Sequence, residues 1–132
     1  MFRNLVLGTS AVFALWTALD FIFHGVVLAD YMKATAHLWR PENESKMILN
    51  SAVVLIASLA FTLIYALLIN PKGLRFGLLF GTFFGLAMGM ISGYGAYAFM
   101  PVPYFMALIW FLNGLAQGVC AGVAVGMLVR DD

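Results

Sequence analysis

Charged side chains are scarce in this chain. Its 132 residues include seven Lys or Arg and six Asp or Glu, and the formal net charge is +1. Hydrophobic residues make up 64% of the chain and the mean hydropathy is +0.98, a composition outside the range of ordinary soluble domains. The few charges lie mainly at the termini and in connecting segments, so they form no basic stripe and predict no nucleic-acid partner.

Cysteine and histidine are equally few. The lone Cys120 cannot form an internal disulfide and is interpreted as a small apolar residue. The two histidines, His24 and His37, do not have a repeated metal-ligand spacing. No Gly-x-Ser-x-Gly element or Ser/His/Asp constellation is visible. The sequence therefore predicts a non-enzymatic protein without a cofactor, and a metal or haem held by His24 and His37 is kept as an alternative.

Apolar sequence, by contrast, is abundant. Four stretches are each long enough to cross about 30 Å of hydrocarbon at about 1.5 Å per residue. They cover residues 4–28, 47–69, 76–99 and 104–129. Short connections between spans favour antiparallel neighbours. We therefore predict an all-α integral membrane protein, in which residues 1–132 form a single antiparallel four-helix bundle in the lipid bilayer.

The first stretch could be mistaken for a secretory signal. Asp20 and His24 interrupt it and no convincing cleavage site follows, so we predict an uncleaved span. Basic residues then divide unevenly between the two sides: Arg3, Lys72, Arg75 and Arg130 on one, Lys33, Arg40 and Lys46 on the other. By the positive-inside rule, this bias and the short Lys72–Arg75 loop predict a multi-pass protein of the bacterial inner membrane with both termini in the cytoplasm.

The connection over residues 29–46 has a pattern of its own. Asp30, Lys33, His37 and Arg40 recur at spacings of three and four residues, as the polar face of an amphipathic helix does. Trp39 would anchor such a helix at the headgroup level, and Pro41 would end it. The spacing predicts a short interfacial helix between spans one and two.

Glycine recurs every fourth residue in spans three and four. The ladders consist of Gly73, Gly77, Gly81, Gly85, Gly89 and Gly93, and of Gly114, Gly118, Gly122 and Gly126. Small-residue stripes allow membrane helices to approach backbone to backbone. We therefore predict close helix packing along both ladders, either on each other or on helices of another subunit.

Asp20 is the residue that packing explains least well. An aspartate at the centre of a span costs about 2.5–3.5 kcal/mol on insertion scales, so it usually has a partner or a function. Asp20 and His24 share a helix face, and Asn113 and Gln117 lie early in span four, at the same predicted depth. The four side chains are interpreted as a proton or cation site in a polar vestibule. The structural alternative is that Asp20 and His24 form a pair that pins this helix to Asn113, Gln117 or a tyrosine elsewhere in the bundle.

Two classes of function remain open at this point. The surplus of packing signals favours an accessory or assembly subunit, in which glycine-striped helices dock against other membrane helices in a larger complex or homo-oligomer. The alternative is a small oligomeric transporter or channel that uses Asp20 and His24 as its proton or cation site.

Overall fold

The computed structural model describes residues 1–131, and these residues form helices and connecting segments without a strand. Five α-helices follow the chain: α1 (Phe2–Ile22), α2 (Ala29–Ala34), α3 (Met47–Leu68), α4 (Leu74–Met90) and α5 (Tyr104–Leu128). A π-helical turn continues α1 over Phe23–Val27 and another continues α4 over Ile91–Gly95. Short 3₁₀ turns occupy Ala36–Leu38 and Glu42–Glu44.

Four of the helical segments are long and apolar enough to cross a membrane, which confirms the predicted spans. They are Phe2–Val27, Met47–Leu68, Leu74–Gly95 and Tyr104–Leu128. Proline sets one of the boundaries, because Pro103 precedes the first residue of α5 and cannot donate a backbone hydrogen bond. The chain is therefore a multi-pass membrane protein.

Helices α4 and α5 make the closest contact in the molecule, and their glycines face each other. A Cβ atom added to Gly85 would lie 2.8 Å from the carbonyl oxygen of Leu115, and one added to Gly93 would lie 2.6 Å from that of Ala107. Gly81 likewise lies against the backbone of Gly118 and Gly122. Residues later in α4 contact residues earlier in α5, so the two helices run in opposite directions.

Helix α1 lies between α3 and α5. Hydrogen bonds join Asn4 Nδ2 to the carbonyl oxygen of Arg130 (2.6 Å) and Trp16 Nε1 to that of Gln117 (2.9 Å), again in reversed order along the two helices. The main apolar core is formed where α1, α3 and α5 meet, by Val12, Trp16, Phe61, Tyr65, Ala66, Ala121, Val125 and Val129. This core fixes the rotation of α1, so that the face with Trp16 and the polar residues after it turns towards the other helices.

A second apolar cluster covers the start of α5. Leu28, Val102, Met106, Ile109 and Trp110 are buried there. The ring of Trp39 meets Trp110 edge to face, with 6.0 Å between centroids. The segment after α1 therefore packs against the start of α5.

Within that segment the helix is shorter than its polar periodicity suggests. Helix α2 ends at Ala34, and Thr35 leaves the α-helical conformation, with φ −107° and ψ +21°. The Thr35 hydroxyl donates to the carbonyl oxygen of Tyr31 at 2.8 Å, and the Thr35 N–H donates to the same oxygen at 3.0 Å. The same hydroxyl accepts a hydrogen bond from Trp39 Nε1 at 2.9 Å. Trp39 is thus turned towards Trp110 and the second cluster.

Helices α3 and α4 contact each other through aromatic side chains, and a groove lies between their backbones. Phe61 and Phe80 have ring centroids 4.7 Å apart, and Phe61 meets Phe84 edge to face at 4.9 Å. Beside these rings lies an open cavity of about 590 Å³, lined by Leu68, Ile69, Asn70, Phe76, Leu79, Phe80, Phe83 and Phe84. The backbones of these two helices therefore stay apart, in contrast to those of α4 and α5.

Candidate intramembrane binding site

Asp20 lies near the end of α1, on the face that turns towards α5. Its carboxylate oxygen Oδ1 accepts a hydrogen bond from Gln117 Nε2 at 2.8 Å and another from Asn113 Nδ2 at 3.1 Å. Both donors are neutral amides one helical turn apart on α5. Three of the four side chains that the sequence analysis grouped therefore meet at the Asp20 carboxylate.

Trp16 holds this part of α1 against α5 from the adjacent turn. Its indole nitrogen donates to the carbonyl oxygen of Gln117, and Gln117 Nε2 lies 3.4 Å from the carbonyl oxygen of Trp16. Trp16 itself is 7% exposed and packs against Phe61 and Phe84. The position of Gln117, and with it one hydrogen bond to Asp20, is thus fixed by a buried aromatic side chain.

His24 lies one turn beyond Asp20, inside the π-helical turn that continues α1. Its ring nitrogen Nδ1 lies 3.2 Å from the backbone carbonyl oxygen of Asp20. A carbonyl oxygen only accepts, so this hydrogen bond places a proton on Nδ1 and leaves Nε2 of a neutral ring as an acceptor. His24 therefore contacts the backbone of Asp20, and the carboxylate is bonded to the two amides.

The second π-helical turn faces the same region from α4. It contains Ser92, whose hydroxyl oxygen lies 3.5 Å from the carbonyl oxygen of Gly89. A π-helical turn inserts an extra residue and changes the direction of the side chains after it, and such turns are frequent at functional sites. Here two of them, on different helices, each bring one polar residue to a shared cavity.

That cavity has a volume of about 320 Å³ and a mixed lining. Its walls are formed by Asp20, His24, Ser92, Ala96, Met100, Trp110, Asn113, Gly114 and Gln117. A water molecule occupies about 30 Å³ in the liquid, so the cavity has room for several waters or for one small organic molecule. It combines one carboxylate and several neutral polar groups with an apolar wall.

Asn113 has one polar atom without a partner. The side chain is 6% exposed, and its carbonyl oxygen Oδ1 is buried and makes no hydrogen bond among the described residues. Because Nδ2 of the same amide donates to Asp20, Oδ1 points away from that carboxylate. A buried acceptor left unpaired is destabilising by about 1–3 kcal/mol.

The hydrogen bonds of Asp20 join α1 to α5. An interhelical side-chain hydrogen bond in a membrane protein contributes about 0.6 kcal/mol on average, so two contribute about 1.2 kcal/mol. A carboxylate beside a cavity can hold a proton or a cation.

The other residues singled out from the sequence lie elsewhere. Asp30, Lys33, His37 and Arg40 are all exposed in the segment after α1. Across residues 1–131, no three His, Cys, Asp or Glu side chains come together as a metal-binding group. The predicted proton or cation site and the exposed polar face are therefore separate parts of the molecule.

Sequence reasoning did not find the aromatic wall of the cavity or the π-helical turns. Trp110 reads in the sequence as one apolar residue among many in span four, and a π-helical turn depends on hydrogen-bond register, which apolar periodicity does not encode. Glycine was a partial sequence signal for these turns, because Gly25 lies in the π-helical turn after α1, and Gly93 and Gly95 lie in the one after α4. Glycine lowers the cost of such local departures from α-helical geometry.

Comparisons of this chain with protein-family models, with curated proteins and with solved structures find no match. The function of the protein is therefore inferred from the site alone.

Proposed function

We propose that this chain is a non-enzymatic membrane protein that binds a proton or a small cation at Asp20 and carries it through the bilayer, as a small transporter or channel does. His24, Asn113 and Gln117 complete the site. The observation that carries this proposal is the position of the Asp20 carboxylate, beside a cavity and bonded to two neutral amides. Ionisable groups that face the interior of a helix bundle are typical of ion pathways.

Flux measurements in proteoliposomes test the proposal. Purified protein is reconstituted with a pH-sensitive or cation-sensitive dye inside the vesicles, and the parent is compared with Asp20→Asn, which keeps the shape of the side chain and removes its charge. We expect flux from the parent and at least a tenfold loss in Asp20→Asn. Asp30→Asn, on the exposed segment, is the matched control and should keep parental flux. Equal flux from the parent and from Asp20→Asn would remove Asp20 from the mechanism.

A second candidate function, an accessory or assembly subunit of a larger membrane complex or a homo-oligomer, is favoured by the groove between α3 and α4. The glycines of α4 and α5 are turned towards each other, so docking through them would require the pair to separate. The aromatic groove is accessible without such a change, and Phe83 at its edge is 67% exposed. We propose a transmembrane helix as its occupant, because an apolar helix supplies the contact area that a lipid-facing cleft lacks.

Association in mild detergent tests this candidate. Mass measurement of the purified protein should give a self-associated species or a complex with a defined subunit. Phe83→Ala should release the partner, whereas Phe21→Ala, at a position of similar exposure on α1, should not. A monodisperse monomer without a copurifying subunit would contradict the docking role.

The topology proposed for either function is an antiparallel four-helix bundle in the bacterial inner membrane. Both termini and the loop that carries Lys72 and Arg75 would face the cytoplasm, and the segment after α1 would lie at the opposite surface. The distribution of basic residues supports this orientation. Exposure of Asp30, Lys33, His37 and Arg40 on that segment supports its contact with water or lipid headgroups.

A further inference from the structure

The groove between α3 and α4 is lined mainly by apolar side chains and runs along the helices. Its lining extends along α4 from Phe76 to Phe84, a rise of about 12 Å. Leu68 and Ile69, at the end of α3, form part of the opposite wall. The volume of about 590 Å³ is roughly twenty times the share of one liquid water. A hydrocarbon chain that lies parallel to α4 matches this shape.

Two basic residues lie at the end of the groove where α3 connects to α4. Arg75 lies over the ring of Phe76, with 5.9 Å between Cζ and the ring centroid. Lys72 Nζ donates to the carbonyl oxygen of Ile69 at 2.6 Å and to Oδ1 of Asn70 at 3.1 Å. Because all three contacted residues line the groove, both positive charges lie beside its end. This connection joins two spans, so the charges lie near the membrane surface.

No acidic side chain close in sequence neutralises these charges. The chain contains no Asp or Glu between Glu44 and Asp131, and the first turn of α4 has no acidic residue. Lys72 uses two of its three N–H donors on neutral oxygens. The guanidinium of Arg75 contacts a ring and makes no hydrogen bond among the described residues. Both side chains therefore keep N–H donors that a phosphate group can accept.

We infer that the groove binds an anionic phospholipid, with an acyl chain along the rings of α4 and the phosphate at Lys72 and Arg75. Basic pockets between membrane helices bind anionic headgroups in the same way. The inference is independent of the cation site at Asp20. It describes the chain without a docked partner, because a helix that enters the groove, as in the accessory-subunit function, would displace the acyl chain.

The charges at the end of the groove favour a lipid over a helix as its occupant in the free chain. The proposed topology places this end on the cytoplasmic side, where the flanks of membrane helices are typically basic. A helix with such a flank would bring like charges to Lys72 and Arg75. An anionic lipid brings the opposite charge, and arginine binds phosphate oxygens through paired N–H groups.

Two lipids with identical acyl chains test the inference without any mutation. Dioleoylphosphatidylglycerol is anionic and dioleoylphosphatidylcholine has no net charge. An equimolar mixture is added to the purified protein in non-ionic detergent, and native mass spectrometry counts the bound copies of each. We expect phosphatidylglycerol to be retained over phosphatidylcholine by about tenfold or more, since two basic side chains contribute to the preference. Excess glycerophosphate, which has the phosphate without acyl chains, should not displace the bound lipid.

Charge variants assign the preference to this end of the groove. Arg75→Gln should lower the preference for phosphatidylglycerol by about fivefold. Combining it with Lys72→Gln should bring the retention of the two lipids to within about threefold of each other. Arg3→Gln removes the same charge at another exposed position near the same membrane surface and should leave the preference unchanged.

A second pair of variants tests the apolar part of the groove. Leu79 lines the groove and is 45% exposed, whereas its neighbour Leu78 does not line it and is 41% exposed. Leu79→Trp should fill the groove and weaken the retention of both lipids. Leu78→Trp adds the same bulk beside it and should retain phosphatidylglycerol as the parent does.

Four outcomes would overturn the inference. Equal retention of the two lipids by the parent would remove the headgroup preference. An equal loss in Arg3→Gln and Arg75→Gln would assign the preference to the overall charge of this surface. Displacement by glycerophosphate would show that the charged end binds phosphate without the groove. A protein subunit held at Phe83, with no phosphatidylglycerol preference in the free chain, would leave the accessory-subunit function standing and remove the lipid.

Discussion

The phenolic oxygen of Tyr65 forms two hydrogen bonds with the backbone of Gly73. It donates to the Gly73 carbonyl oxygen at 3.1 Å and accepts from the Gly73 N–H at 2.9 Å. Gly73 precedes α4 and has a φ of +137°, a conformation that side-chain-bearing residues rarely adopt. A fully buried tyrosine of α3 thus fixes the point at which α4 begins.

Tyr65→Phe should therefore destabilise the protein with little change in packing. The ring stays in the core, but the Gly73 N–H loses its partner and the Gly73 carbonyl oxygen keeps only the Gly77 N–H, which costs about 1–2 kcal/mol in the free energy of unfolding. Titration with a denaturing detergent, followed by circular dichroism, measures that change. Tyr97→Phe, at an exposed position that is 41% accessible, is the control and should be neutral. Equal effects of the two variants would show that the Gly73 contact does not stabilise the loop.

Gly118→Ala should be among the most damaging single-methyl additions in the chain. A Cβ atom at Gly118 would overlap the carbonyl oxygen of Gly81 and the backbone of Gly85, so α4 and α5 would have to separate. Overpacking costs about 1–3 kcal/mol in well-packed cores, and here the obstacle is backbone. The midpoint of thermal unfolding in detergent should fall by several degrees.

Gly95→Ala is the matched control for Gly118→Ala. A Cβ atom there would meet the carbonyl oxygen of Met90 at 3.6 Å, an ordinary van der Waals distance. Leu79→Ala, which trims a side chain that is 45% exposed, should also be mild. If the leucine variant or Gly95→Ala proves more damaging than Gly118→Ala, close contact between α4 and α5 is not what holds the pair together.

Sequence reasoning predicted the spans well because apolar length is a local property. The predicted fourth span starts at Tyr104, as α5 does, and the second starts at Met47, as α3 does. The sequence did not decide whether the glycine ladders contact each other or another subunit, because a stripe of small residues can pack closely against any helix. In the structure Gly81 lies on Gly118 and Gly122, so the ladders are matched within one chain.

The candidate site, like the fold, could be predicted from the sequence only in part. Asp20, Asn113 and Gln117 could be grouped from the sequence, because polar residues deep in a span are rare and their depths follow from helix direction. The unpaired carbonyl oxygen of Asn113 could not, since it depends on which atom of that amide faces Asp20. The end of α2 at Ala34 was also missed, because the polar spacing that predicted the interfacial helix continues beyond Thr35.

Access to the cavity can be probed through Ser92, which is exposed and lines it. Ser92→Cys should react with a membrane-impermeant thiol reagent added from the side opposite the Lys72–Arg75 loop, as the proposed topology requires. Ser58→Cys, at a fully buried serine of α3, should stay unlabelled, as should the native Cys120 in the middle of α5. Labelling only from the side of the Lys72–Arg75 loop would reverse the topology, and labelling from neither side would mean that the cavity is closed to water.

Asp20→Asn should leave the protein as stable as the parent, or make it more stable, even as it removes flux. Asparagine keeps an oxygen that can accept from Gln117 and Asn113, while the charge that is unfavourable in a span disappears. Residues retained for function often lower stability, so their removal raises it. The midpoint of thermal unfolding in detergent measures this, with Asp30→Asn as a control that should not change. A fall of several degrees in this midpoint for Asp20→Asn, without a fall for Asp30→Asn, would show that Asp20 holds α1 against α5. Only a structural role requires the charge for folding.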